Sequence, residues 1–309
     1  MSDFLHLLGV DVDSNISVFL ACTICTFAVV TIIWAIGLRR GHHSLIDSYY
    51  GFGYVLPALI AYYAVKAHSV TAALLLFMVI LHGGRLGWYL SARNVRWSKE
   101  FGGDPKYLDF ARDLRPGYWW KSLILVMEPQ AVVIVVIGLP SVVGILENRA
   151  PGANINAVAM IGILVFGIGS YFEWLADGQL QAFLANKENN KNRYLSTGVW
   201  THTRHPNYFG NTCVWWGIWL VAISGNFWST WWTAAGPLVN TIMLTSVLGS
   251  TFADNRLGKR PEYQLLMART RRFLPIPLPR NKVQEQERMV RQRPGYRMPV
   301  RGSLPGKSP

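Results

Sequence analysis

Residues 194–217 read YLSTGVWTHTRHPNYFGNTCVWWG, and the passage within them from a polar, basic loop into an apolar run decides the fold. A loop carrying Arg204 and His205 gives way at Pro206 to an aromatic-rich apolar segment. That is the pattern of a membrane boundary, where Trp and Tyr anchor a helix at headgroup level. The same run carries chemistry. Arg204, His205, Asn207 and Tyr208 gather a guanidinium, an imidazole, an amide and a phenol around one proline. A guanidinium suits forked recognition of phosphate, and amides and phenols hold ribose or carboxamide groups. A basic interface loop with aromatic anchors would use the same residue types, so the spacing has to decide between the two.

Composition supports the membrane reading. Of 309 residues, 51% are hydrophobic and 15% charged, with 13 Trp, whereas soluble domains carry about 25% charged residues. Apolar runs long enough to cross a bilayer recur at 16–38, 48–66, 70–92, 120–146, 155–178, 208–225 and 229–250. The expected fold is therefore all-α and integral to the membrane, with seven transmembrane helices. The net charge of +13 does not indicate nucleic acid, because it collects in alternate loops. With the N-terminus outside and the C-terminus cytoplasmic, all but three of the 30 Lys and Arg residues fall on the cytoplasmic side. The exceptions are Lys66, Arg149 and the intramembrane Arg85. A multi-pass protein of a bacterial inner membrane or an endoplasmic-reticulum-type membrane is expected.

The N-terminus is acidic, with Asp3, Asp11 and Asp13, and lacks the basic region of a cleavable signal, so the first apolar segment is expected to be retained. Cys22, Cys25 and Cys213 all lie in apolar segments without a histidine cluster, so no metal site is expected. Residues 281–309 are rich in Arg, Pro and Gly and are expected to be a disordered basic tail lying against anionic lipid headgroups. Residues 1–280 form the membrane domain, with 170–280 expected to hold a cofactor. No internal repeat appears, which disfavours a two-half transporter.

Charged groups inside spans are costly and mark cavities or bundle interiors. Glu173 and Asp177 are four residues apart and share one helix face, where they can accept ribose or carboxamide hydrogens. His82 and Arg85 share a face of the third span, and Asp47 and Glu128 are carboxylates that could orient an acidic His82. Pro129 follows Glu128 and frees backbone carbonyls at mid-membrane. There is no GxGxxG after a strand, no P-loop, no HExxH and no GxSxG, so a nucleotide would have to bind within the helix bundle.

These motifs resemble a known group. Glu173 through Asp177, Gly198-Val199-Trp200, Arg204-His205-Pro206-Asn207-Tyr208-Phe209-Gly210 and Trp215-Trp216-Gly217 are similar to the steroid 5α-reductase family, and most of all to its DUF1295 branch. The resemblance takes in Ile46-Asp47, Gly51-Phe52-Gly53, Gly84-Arg85-Leu86-Gly87-Trp88-Tyr89, Gln130-Ala131 and Arg271-Arg272-Phe273-Leu274-Pro275. The RHPxYxG core is shared with isoprenylcysteine and phospholipid methyltransferases, while NYFG followed by WWG favours the reductases.

The resemblance implies a membrane oxidoreductase that reduces a C=C bond conjugated to a carbonyl in a lipid- or steroid-like substrate, using NADPH. It implies cofactor contacts from Glu173, Asp177, Arg204, His205, Asn207 and Tyr208, with Lys187, Arg193, Arg256 and Arg260 as looser phosphate candidates. His82 is implied as the acid, supported by Asp47 or Glu128. Three positions depart from the usual pattern: Asn211 in place of Glu, Met267 in place of Tyr, and His82 in place of the steroid enzymes' Tyr. An S-adenosylmethionine-dependent methyltransferase and a non-catalytic membrane scaffold are the alternatives. Expected partners are a lipophilic substrate drawn from the bilayer and membrane lipids, with oligomeric state left open.

Overall fold

The computed structural model describes residues 9–151, 155–186, 194–246, 249–258 and 261–292. The described chain is all-α. Its only β feature among the described residues is an isolated parallel bridge between Thr203 and Arg271. The helices are α1 (Asn15–Arg40), α2 (Leu45–Ala64), α3 (Val70–Phe101), α4 (Pro105–Asp113), α5 (Tyr118–Glu147) and α6 (Ala157–Ala185). They continue as α7 (Pro206–Gly225), α8 (Ala235–Thr245), α9 (Ser250–Leu257), α10 (Pro261–Arg269) and α11 (Arg280–Arg291).

Four of these, α1, α3, α5 and α6, are long and apolar enough to cross a membrane. Of the other expected spans, α2 and α7 each run 20 residues. The run expected at 229–250 is segmented instead. It contains a short helical turn at Phe227–Thr230, a 3-10 turn at Trp231–Ala234 and the 11 residues of α8. The hydroxyls of Thr230 and Thr233 bond backward to the carbonyls of Asn226 and Thr230, at the points where the helix changes pitch. At 1.5 Å per residue, α8 spans only about 16 Å.

The chain forms two compact units. One comprises Met1–Leu164 with Trp215–Val239, the other Val165–Val214 with Asn240–Pro309. In the first, Ser14 and Ser69 cap the starts of α1 and α3 with their side-chain oxygens, and Gly41 ends α1 in the left-handed conformation. The helices run antiparallel to their neighbours. At one end, Asn15 bonds Glu147 at 2.9 Å, and His68 N–H donates to Arg149 O at 3.1 Å. At the other, the Trp34 indole donates to Trp119 O at 3.0 Å and Arg93 pairs with Asp47. The end holding the α1–α2, α3–α4 and α4–α5 connections carries nearly all of this unit's basic residues. The opposite end carries Lys66 and Arg149.

The α2–α3 contact is built on glycine. A β-carbon at Gly51 would lie 2.2 Å from Gly87 N and 2.4 Å from Gly83 O, so the two backbones touch. Small-residue contacts of this kind let helices associate where no hydrophobic force separates side chain from lipid. The π-helical turn Leu123–Met127 precedes Glu128-Pro129, with Glu128 N–H reaching back to Leu123 O. It absorbs the proline without ending α5.

In the second unit, Val290 of α11 is buried against Leu265 and Ala268 of α10. Residues Arg280–Arg291 are therefore helical rather than the start of a disordered tail.

Candidate functional site

The site in the second unit begins with Gly210. Its missing side chain lets α7 lie against α6: a β-carbon there would sit 2.5 Å from both Glu173 N and Gly169 O. That approach sets two rungs between helices. Asn207 Nδ2 donates to Asp177 Oδ1 at 3.4 Å, and Asn211 Nδ2 donates to Glu173 Oε1 at 3.1 Å. The i,i+4 spacing on each helix puts both acids on one face and both amides on the other. Asn240 of α8 adds a third member, donating to Asn211 Oδ1 at 3.0 Å. Glu173 and Asp177 are 3% and 5% exposed. Two buried carboxylates bonded to amides form a polar wall in otherwise apolar helices. Such groups accept hydrogen bonds, here from the Asn207 and Asn211 amides. Gln179 Oε1 accepts Val199 N–H at 3.1 Å, and Trp200 Nε1 donates to Ala176 O at 3.2 Å, docking the Gly198–Thr201 turn on α6.

The start of α7 is organised by a residue that the motifs do not reveal. Asp254 of α9 is 2% exposed and accepts from four side chains. Arg204 Nε and Nη2 reach Oδ2 at 3.1 Å each, and Arg272 Nε reaches the same oxygen at 3.2 Å. His205 Nε2 and the Tyr263 hydroxyl reach Oδ1 at 3.1 and 2.7 Å. Burial works to raise the Asp254 pKa. The bonds from His205 and Tyr263 and the Arg204 charge outweigh it and hold the carboxyl well below its ordinary value. Arg204 Nη1 turns the other way, to the carbonyls of Met267 and Thr270, and its own N–H bonds Arg271 O. All three nitrogens of the Arg204 guanidinium are thus engaged within the chain. His205 is buried and lies flat against Tyr208, 9° from parallel with ring centroids 5.3 Å apart. One signal for Asp254 was in the sequence: it and Glu262 are the only carboxylates between Arg204 and Arg280.

In the first unit, His82 is buried edge-on to Trp215 at 5.7 Å, and Trp215 packs on Tyr54 at 4.6 Å. Asp47 opens α2, where Arg93 Nη2 reaches it at 2.8 Å and the buried Tyr107 hydroxyl at 2.6 Å. Lys106 Nζ lies 3.8 Å away. Glu128 is half-buried beside the π turn, and no described residue hydrogen-bonds its side chain. Neither carboxylate bonds the His82 ring. Arg85 lies over the Tyr89 ring at 5.9 Å. Lys187, Arg193 and Arg260 lie outside the described residues, as does the side chain of Arg256. No His, Cys, Asp and Glu group suited to a metal occurs among the described residues.

The donor set fits the ribose and carboxamide end of a nicotinamide nucleotide. Asp177 and Glu173 accept hydrogens, while Asn207 and Asn211 both donate and accept.

A family model described as a protein of unknown function (DUF1295) matches residues 33–270. No curated protein and no solved structure matches the chain.

Proposed function

The chain belongs to the DUF1295 family, and we propose that it is a multi-pass membrane oxidoreductase whose second unit binds NADPH. It would reduce a C=C bond conjugated to a carbonyl in a lipid- or steroid-like substrate. The observation that carries this reading is the buried acid–amide wall of Glu173, Asp177, Asn207 and Asn211 at the start of α7. Carboxylates there suit ribose hydroxyls and the carboxamide. NADPH, when bound, supplies the hydride for the β-carbon, and a proton completes the reduction at the α-carbon. Asn207, Asp177 and Glu173 orient the nucleotide, with Tyr208 beside them. His82, a buried imidazole, is the group we assign to stabilising or protonating the enolate oxygen.

The reading includes seven spans, with the basic ends of the helices cytoplasmic, so that the cofactor enters from the cytoplasm. It is tested by the thermal stability of the detergent-solubilised protein with NADPH, NADH or S-adenosylmethionine. A ligand held at about 100 times its Kd stabilises the folded state by about 2.7 kcal/mol. Stabilisation by NADPH that disappears in Asn207→Ala supports the reading. Stabilisation by S-adenosylmethionine alone replaces it with methyl transfer, and no response to any of the three favours a non-catalytic scaffold.

A further inference from the structure

Two consecutive side chains of the Arg204–Tyr208 run, Arg204 and His205, end on Asp254, and a third, Tyr208, rests on the second. An ionised carboxylate only accepts hydrogen bonds. The His205 nitrogen facing it, Nε2 at 3.1 Å, must therefore carry a hydrogen, which excludes a ring whose only hydrogen is on Nδ1. The ring plane is fixed as well, by that bond on one side and by the flat Tyr208 contact on the other. Tyr263 and Arg272 hold the carboxylate from two further directions, so it cannot follow the imidazole if the imidazole turns.

We propose that Asp254 is a positioning residue of the cofactor site: it sets the tautomer and plane of His205 and, through the stacked ring, places Tyr208 against the bound nucleotide. The inference rests on the NADPH reading of this same site. A purely structural Asp254 would act through Arg204, which ties the end of α10 to the start of α7 through Met267 and Thr270, and through Tyr263 and Arg272, with no need of His205. The two roles differ in how substitutions at Asp254 and His205 combine.

The test uses the purified full-length protein in detergent. NADPH dissociation constants are measured for the wild type, Asp254→Asn, His205→Phe and the double variant. Each single change is expected to weaken binding about tenfold, and the pair no more than either alone, because both break one linkage. Losses that multiply towards about a hundredfold overturn the proposal, as does an Asp254→Asn variant that binds like the wild type. Nitrogen-15 NMR of histidine-labelled protein at mildly alkaline pH, without cofactor, reads the position of the His205 ring hydrogen directly. The Nε2–H signature is expected at His205, and an Nδ1–H ring overturns the proposal. This measurement on the wild type stands even where Asp254→Asn does not fold. A wild type that fails to bind NADPH overturns the functional reading and the cofactor role of Asp254 with it. The nitrogen signature then still shows whether the His205 nitrogen facing Asp254 carries the hydrogen, so the two failures read differently.

Discussion

A β-carbon at Gly210 has nowhere to go, since Glu173 N and Gly169 O would both lie 2.5 Å from it. Gly210→Ala must push α7 off α6, at a cost of about 1–3 kcal/mol for overpacking. Both acid–amide rungs lengthen with it. The expected outcome is a lowered midpoint in thermal unfolding together with lost NADPH stabilisation; an unchanged midpoint would mean that the helices do not depend on this approach. Asn211→Leu isolates the polar part. It strands the Asn240 amide and removes a donor from Glu173, which costs about 1–3 kcal/mol in a buried site. Asn211→Gln, able to rebuild the bonds, is expected to recover part of that loss in the same unfolding assay. At this scale the sequence was half legible. Glu173 and Asp177 could be placed together because helical period puts i and i+4 on one face. Asp254 could not, because its bonds to Arg204 join residues 50 apart, and no local period reports such a pairing. The scarcity of carboxylates around Arg204 was the one available sign.

The elements show a similar division. Long apolar runs announced α1, α3, α5 and α6, since about 20 apolar residues have few other uses. The segmentation of 229–250 was hidden, because hydropathy does not register the Thr side chains that bond back to the backbone there. Helix α11 was hidden for the opposite reason. Its apolar residues, Val283, Met289 and Val290, are too few among charged neighbours to stand out in the sequence, and Val290 becomes a core residue only because α10 is there to cover it.

The loop between α1 and α2 carries a pH prediction. His43 is 2% exposed and stacks on Tyr118, and neither ring nitrogen has a hydrogen-bond partner among the described residues. Burial, aided by His42, pushes its pKa down from 6.5 to about 4. Between those values the unfolded chain binds a proton that the folded chain refuses, so stability falls as pH drops from about 6.5 towards 4. His43→Phe keeps the stack and removes the titration. The expected outcome is a flatter unfolding midpoint across that range than in the wild type; parallel profiles would assign the acid sensitivity elsewhere.

For the whole molecule, the charge pattern makes a claim about sidedness that the first unit sharpens. His68 N–H bonds Arg149 O, and Ser69 bonds Asn148 O, so the α2–α3 and α5–α6 connections share one end of that unit. The α3–α4 and α4–α5 connections, with Lys99, Lys106, Arg112 and Arg115, share the other. Basic residues are retained on the cytoplasmic side during insertion, so the first end is expected outside and the second inside. The seven-span count needs the same alternation, with α2, α7 and the segmented run from Phe227 to Thr245 all crossing even though their lengths and compositions are less decisive than the other four. Single cysteines in a background where Cys22, Cys25 and Cys213 are replaced by Ala settle this. His68→Cys and Ala150→Cys are expected to react with a membrane-impermeant maleimide on intact cells. Arg112→Cys and Asp113→Cys are expected to react only after permeabilisation. The reverse pattern would invert the orientation and put the second unit's basic segments on the wrong side for a cytoplasmic dinucleotide, removing the route by which NADPH is proposed to enter. Reaction of both pairs from one side would mean that α3 and α5 do not cross at all, despite lengths of 32 and 30 residues.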